Sequence, residues 1–147
     1  MSSRLHLAGP DDLDRIEGMV GTYHGSAGIE SDAESRRGAI GPLLNGSPHG
    51  AIWLIGPRMS PVGYVAVSFG WSLELGGLDG FIDEFWLREA VRGRGMGGEA
   101  LSELLKTLDE AGVKAMHLEV ANGTGASRLY RRLGFKERGY ALMTRIA

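Results

Sequence analysis

The segment Val91-Arg92-Gly93-Arg94-Gly95-Met96-Gly97-Gly98 holds the residues best suited to bind an anion. Glycines let backbone N–H groups approach phosphate oxygens with no Cβ in the way and reach positive φ, while Arg92 and Arg94 add charge-assisted donors. The segment stands between a β-rich run and the most regular helical pattern in the chain, so a helix dipole and free N–H groups would face whatever it holds. A pyrophosphate suits that chemistry; a glycine-rich turn with solvated arginines is the plain alternative. Two other phosphate loops do not fit. A P-loop ends Gly-Lys-Ser/Thr, whereas this segment ends Gly97-Gly98-Glu99. Gly93-x-Gly95-x-x-Gly98 matches the dinucleotide fingerprint, but that fingerprint opens a parallel doubly wound sheet, and only about fifty residues follow here.

The elements that must position this loop follow from periodicity. Leu5 and Leu7 predict a short strand before Gly9-Pro10-Asp11-Asp12, and Leu13, Ile16, Met19, Val20 and Tyr23 recur at helical spacing. A second helix is expected from Ser31 through Leu44, kinked or ended by Pro42. Ala51–Ile55, Val62–Ser72 and Gly80–Leu87 then read as a three-strand antiparallel meander. Leu101, Leu104, Leu105 and Leu108 share a helix face that Gly112 closes. Val113–Val120 reads as a strand, Ala126–Leu133 as a helix stopped by Gly134, and Tyr140–Ile146 as a final strand. The order β-α-α-β-β-β-α-β-α-β predicts a mixed sheet with at least one parallel pair at its late crossover.

The spacing Arg92-x-x-Gly95-x-Gly97 resembles the Arg/Gln-x-x-Gly-x-Gly/Ala loop of the Gcn-related N-acetyltransferase (GNAT) superfamily. Its surroundings resemble that family too. Phe81-Ile-Asp-Glu-Phe-Trp-Leu looks like the fourth strand, Leu118-Glu-Val like the fifth, and Ala126-x-x-Leu129-Tyr130-x-x-Leu133-Gly134-Phe135 like the helix and turn that follow. The resemblance covers about residues 80–147. It implies one α/β (α+β) domain over residues 1–147, with a mixed, mostly antiparallel sheet of about six to seven strands and about four helices.

The resemblance also implies the chemistry: acetyl-CoA as co-substrate, its pantetheine arm between splayed fourth and fifth strands, and direct transfer of the acetyl group to a primary amine in a ternary complex. Cofactor contacts are then expected from Phe85, Trp86 and Leu87, and from Arg92, Gly93, Arg94, Gly95, Met96, Gly97 and Gly98 of the loop. Asn122 resembles the family asparagine after the fifth strand, but falls one residue early relative to Tyr130. An amine of pKa near ~10 must lose a proton, an oxyanion needs a donor, and the thiolate needs an acid. Tyr130 matches the family's general acid, and the backbone near Leu87 its oxyanion donor. Asp83 and Glu84 are candidate bases; neighbours on a strand face opposite sides, so only one enters the cleft, and Glu84 is favoured. Trp71, Glu74 and Phe81, with Asp79 and Trp86, offer carboxylates beside aromatics for a cationic amine. Each of these also has a structural reading, as packed aromatic or rim carboxylate.

Composition bounds the alternatives. The 147 residues carry a net charge of −2, which lacks the basic surplus of a nucleic-acid binder. Cysteine is absent, which removes a cysteine nucleophile, thiolate metal sites and disulfides, and fits a cytoplasmic location. His6, His24, His49 and His117 show no metal-ligand spacing, so no metal is expected. No apolar run suggests a signal peptide or a membrane span. The expected partner is a small-molecule or protein amine, and a homodimer is compatible with the sequence. Two rivals remain: a non-catalytic acyl-CoA sensor with the same fold, and a nucleotide-binding module built on the glycine loop.

Overall fold

The computed structural model describes residues 4–121 and 126–147. Five strands and four α-helices follow one another as β1 (Leu5–Leu7), α1 (Leu13–Ala27), α2 (Ala33–Leu44), β2 (Gly50–Ile55), β3 (Gly63–Ser72), β4 (Gly77–Leu87), α3 (Met96–Glu110), β5 (Ala115–His117) and α4 (Ala126–Arg132). The sheet order equals the chain order, β1-β2-β3-β4-β5. The first four strands pair antiparallel and β5 lies parallel to β4, as a helical crossover through α3 requires.

Both faces of the sheet are covered. Alternation along the central strands sends Ile52, Leu54, Tyr64 and Ala66 to a core under α1 and α2, and Trp53, Val65 and Val67 to a second core under α3. This two-sided burial explains why Ala51–Ile55 and Tyr64–Val67 read as continuous apolar runs. On α3, Leu101, Leu104 and Leu108 form the buried stripe that the spacing predicts.

Local chemistry sets the helix ends. The Asp32 side chain accepts from the Ser35 N–H at 2.8 Å, capping α2 one residue after the expected start. Pro42 neither kinks the helix out of register nor ends it at once. It sits in the last turn, where the Asn45 side chain donates to the Gly41 carbonyl at 2.8 Å and closes the helix.

Three expectations are corrected. The described residues form five strands, short of six to seven. The strand expected over Val113–Val120 contracts to Ala115–His117, because β5 parts from β4 after the Phe81–His117 pair although β4 continues to Leu87. Tyr140–Ile146 joins no strand of its own chain, and its large apolar side chains stand in solvent.

Candidate active site

The parting of β4 and β5 makes the site. Pairing stops at Phe81 and His117, so the edge of β4 from Ile82 to Leu87 has no strand beside it and a cleft opens. At the mouth of that cleft is the N-terminus of α3. Gly93 and Gly95 adopt φ of 79° and 81°, the left-handed region that favours glycine, and turn the chain into the helix. No side chain caps α3, so the first-turn N–H groups of Met96, Gly97 and Gly98 are free of intrahelical partners. Close packing holds the helix there. A Cβ at Gly97 would stand 3.1 Å from both the Leu87 and Phe85 side chains, and one at Gly98 would stand 3.2 Å from Leu129. Arg92 Nε donates to the Leu87 carbonyl at 2.9 Å, tying the loop to the end of β4, while Arg94 is exposed. Free N–H donors, two arginines and glycines in open surroundings fit a pyrophosphate.

A β-bulge separates the two carboxylates. Ala66 pairs with Glu84 and Val67 with Ile82, leaving Asp83 as the extra residue of β4. Glu84 is thereby turned under α1, where its two oxygens receive different donors. Tyr64 Oη donates to Oε1 at 2.7 Å, and His24 Nε2 lies 2.7 Å from Oε2. His24 Nδ1 is 2.7 Å from Ser31 Oγ, which in turn accepts from Arg36 Nη1 at 3.1 Å. The chain of donors runs Arg36, Ser31, His24, Glu84, consistent with a proton on His24 Nε2. Asp83 is exposed by area yet surrounded by acidic neighbours. Lost solvation, then Glu84 and Glu119, raise its carboxyl above the usual range, against a lowering by His24.

Tyr130 stands on α4 and packs against the second core. It is half-buried and edge-on to Phe135, with centroids 6.0 Å apart. Burial, followed by Tyr23, raises its hydroxyl above the ordinary value. Tyr23 is raised by burial and then by Glu84 and Asp83, so this α1 tyrosine lies in the field of the carboxylates. Glu84 is thus joined directly to Tyr64 and His24, and Tyr23 lies in the electrostatic field of Asp83 and Glu84. Nothing in residue spacing connects positions 23, 24 and 64 to 84. In the sequence Tyr23 stood out only as part of a helical stripe and His24 only as a histidine without metal-ligand spacing.

The other expected residues disperse. Trp86 is buried on the α1 face, its ring 6.2 Å from Tyr64, and helps line a groove of about 560 Å3 with Met19, Thr22, Ser26, Arg88 and Arg92. Phe81 sits where β4 last pairs with β5, beside His117, whose Nε2 lies 3.0 Å from Asp79. Trp71 and Glu74 are not brought to the cleft. Trp71 pairs with Leu78 near the β3–β4 turn, about 20 Å of strand from Glu84 at ~3.3 Å per residue, and Glu74 pairs with Arg138 at 2.7 Å. Asn122 lies outside the described residues. Among the described residues no group of three or more His, Asp or Glu could hold a metal, and no helix is long and apolar enough to cross a membrane.

A mixed sheet that parts beside an uncapped, glycine-led helix is the frame of an acyltransferase. The chain belongs to the acetyltransferase (GNAT) family, whose model matches residues 20–135. Among solved structures it is similar to the integron cassette protein HFX_CASS3 from the mobile metagenome of Cole Harbour Salt Marsh. That match has 30% identity and a TM-score of 0.86 over 97% of this chain and 90% of the other. A possible acetyltransferase from Clostridium difficile 630 shares the fold at 19% identity and TM-score 0.83, covering 97% and 96% of the two chains. An aminoglycoside acetyltransferase from an uncultured soil metagenomic sample shares it at 17% identity and TM-score 0.76, covering both chains fully. No curated protein matches the sequence.

Proposed function

We propose that the protein transfers an acetyl group from acetyl-CoA to a primary amine by direct attack, with Glu84 as base and Tyr130 as acid. What supports this reading is the uncapped, glycine-led N-terminus of α3 beside the unpaired edge of β4, the strand on which Glu84 is held between Tyr64 and His24.

Acetyl-CoA supplies the activated acetyl group as a thioester. The free N–H groups at the start of α3, with Arg92 and Arg94, would hold its pyrophosphate, and the unpaired edge of β4 over Phe85–Leu87 offers backbone donors and acceptors to the pantetheine arm. Glu84, fixed by Tyr64 and His24, accepts the proton that the amine gives up, through one water. The backbone N–H near Leu87 donates to the carbonyl oxygen as it gains charge. Tyr130 gives its proton to the departing sulfur and regains one from solvent. Its raised pKa keeps the hydroxyl protonated at neutral pH, so a proton is held ready there, while the same rise makes it a weaker acid toward a thiolate whose conjugate acid lies near ~8.5.

Calorimetric titration with acetyl-CoA, using NAD and ATP as controls, tests the first half, repeated on Arg94→Glu, a surface charge reversal in the loop. Saturable acetyl-CoA binding that weakens in the variant supports the site, and binding of NAD or ATP alone refutes it. Release of coenzyme A thiol across a panel of polyamines, aminoglycosides, amino acids and peptide amines tests the second half. Tight binding with no turnover on any amine would make the protein an acyl-CoA sensor.

A further inference from the structure

The end of α1 and the start of α2 meet at His24. Gly28 turns the chain at φ 71°, and the Ile29 N–H donates to the His24 carbonyl at 2.9 Å. The chain doubles back and sets Ser31 Oγ 2.7 Å from His24 Nδ1. Arg36, near the start of α2, reaches back to the same serine. Its Nη1 donates to the Ser31 carbonyl at 2.8 Å and to Oγ at 3.1 Å, and its Nε donates to Glu17 Oε2 at 2.8 Å. The guanidinium lies against α1 at Gly21, where a Cβ would stand 3.1 Å from its Cζ and Nη2.

Donor and acceptor capacity then fixes the ring. An arginine can only donate, so Arg36 uses a lone pair of Ser31 Oγ and leaves the hydroxyl proton to point at Nδ1. An ionised carboxylate can only accept, so the 2.7 Å contact with Glu84 Oε2 needs a proton on Nε2. His24 is then an Nε2–H imidazole with no lone pair to spare, and it cannot itself take a proton from an amine. Glu84 can. Tyr64 and His24 use one lone pair on each of its oxygens, and a carboxylate has about four. The His24 and Glu84 side chains are mostly buried, so water does not readily replace either donor.

We propose that His24 is a positioning residue of the transfer: Arg36 and Ser31 lock its ring as the Nε2–H tautomer, and the ring turns Glu84 so that its unused lone pairs face the acceptor amine. This role rests on Glu84 acting as base, and it makes the start of α2 part of the machinery although no residue of α2 touches Glu84 directly.

Two measurements on the full chain test this, the first without substrate. Long-range proton–nitrogen NMR spectra of the imidazoles at about pH 8, with His24 assigned by its loss in His24→Gln, read the tautomer. The expected result is a proton on Nε2 and an acceptor-type shift at Nδ1 in the wild type, and averaging between tautomers in Ser31→Ala and Gly21→Ala. A wild-type ring that carries a proton on Nδ1, or that averages, overturns the proposal. Steady-state kinetics with acetyl-CoA and an amine that the wild type acetylates supply the second measurement. His24→Leu should lower kcat about 10- to 100-fold, with the KM for the amine and the affinity for acetyl-CoA unchanged. His24→Gln, whose amide can donate in place of Nε2, should recover most of that loss. A retained kcat in His24→Leu overturns the proposal, and so does an equal loss in both variants, which would make the ring a packing element. If circular dichroism shows that His24→Leu does not fold, Ser31→Ala decides in its place: a lowered kcat at constant KM supports the role and an unaltered kcat overturns it. A locked wild-type ring with no turnover on any amine removes the acetyl-transfer reading and this role with it, whereas an active wild type with an unlocked ring removes this role alone.

Discussion

Asp83 and Glu84 share a charge and a strand, yet one backbone irregularity gives them different surroundings. The bulge places Glu84 between Tyr64 and His24 and leaves Asp83 among other carboxylates. A carboxyl whose folded pKa is raised contributes nothing unfavourable below its unfolded value and costs stability as pH rises through the folded value. Asp83→Asn is therefore expected to raise the melting temperature at pH 7 and to leave it unchanged near pH 3, measured by thermal unfolding at both pH values. Tyr130→Phe removes a proton donor and little packing. It should lower kcat by about 10²- to 10⁴-fold with acetyl-CoA affinity retained, as read by steady-state kinetics beside calorimetry. Equal losses in binding and turnover would assign Tyr130 to packing against Phe135 instead. At this scale the loop glycines and Tyr130 were legible because they fall in a local pattern. His24 was not, because its partner is distant in sequence and only α1 against β4 joins them.

At the scale of elements, the site depends on how closely α3 and β3 approach β4. Gly63 shows the limit: a Cβ there would stand 2.3 Å from the Trp86 backbone carbonyl, and backbone cannot move aside as a side chain can. Gly63→Ala should cost stability of about 1–3 kcal/mol, the range for overpacking a well-filled site, seen as a lower denaturant midpoint. It should also weaken acetyl-CoA binding, because the shift falls on the end of β4. Leu104→Ala, buried under the second core, should cost about 2–5 kcal/mol by leaving a cavity, yet spare the loop. The contrast between the two separates damage to the cleft from general loss of stability. The helical stripe of α3 and the meander were readable from period alone. The early end of β5 was not, because Val113–Val120 carries strand-forming residues throughout, and pairing stops where the two strands part although β4 itself runs on to Leu87.

For the molecule as a whole, three tyrosines at the site have raised hydroxyl pKa values, Tyr64 most of all through burial and its bond to Glu84. Stability held by a raised tyrosine is complete below the unfolded value near ~10 and is lost as pH rises beyond it. Unfolding free energy is thus expected to fall steeply above pH 10, and more shallowly in Tyr64→Phe, by denaturant titration across that range. The sequence by itself determined the family and the element order up to α4, and it set the glycine loop before α3 and Tyr130 on α4, because each rests on periodicity or short-range spacing. Tertiary structure alone decided which carboxylate sits under α1, that Trp71 and Glu74 lie away from the cleft, and that Tyr140–Ile146 forms no strand. Those outcomes depend on a bulge, a strand length and a free edge, which arise only when distant segments meet.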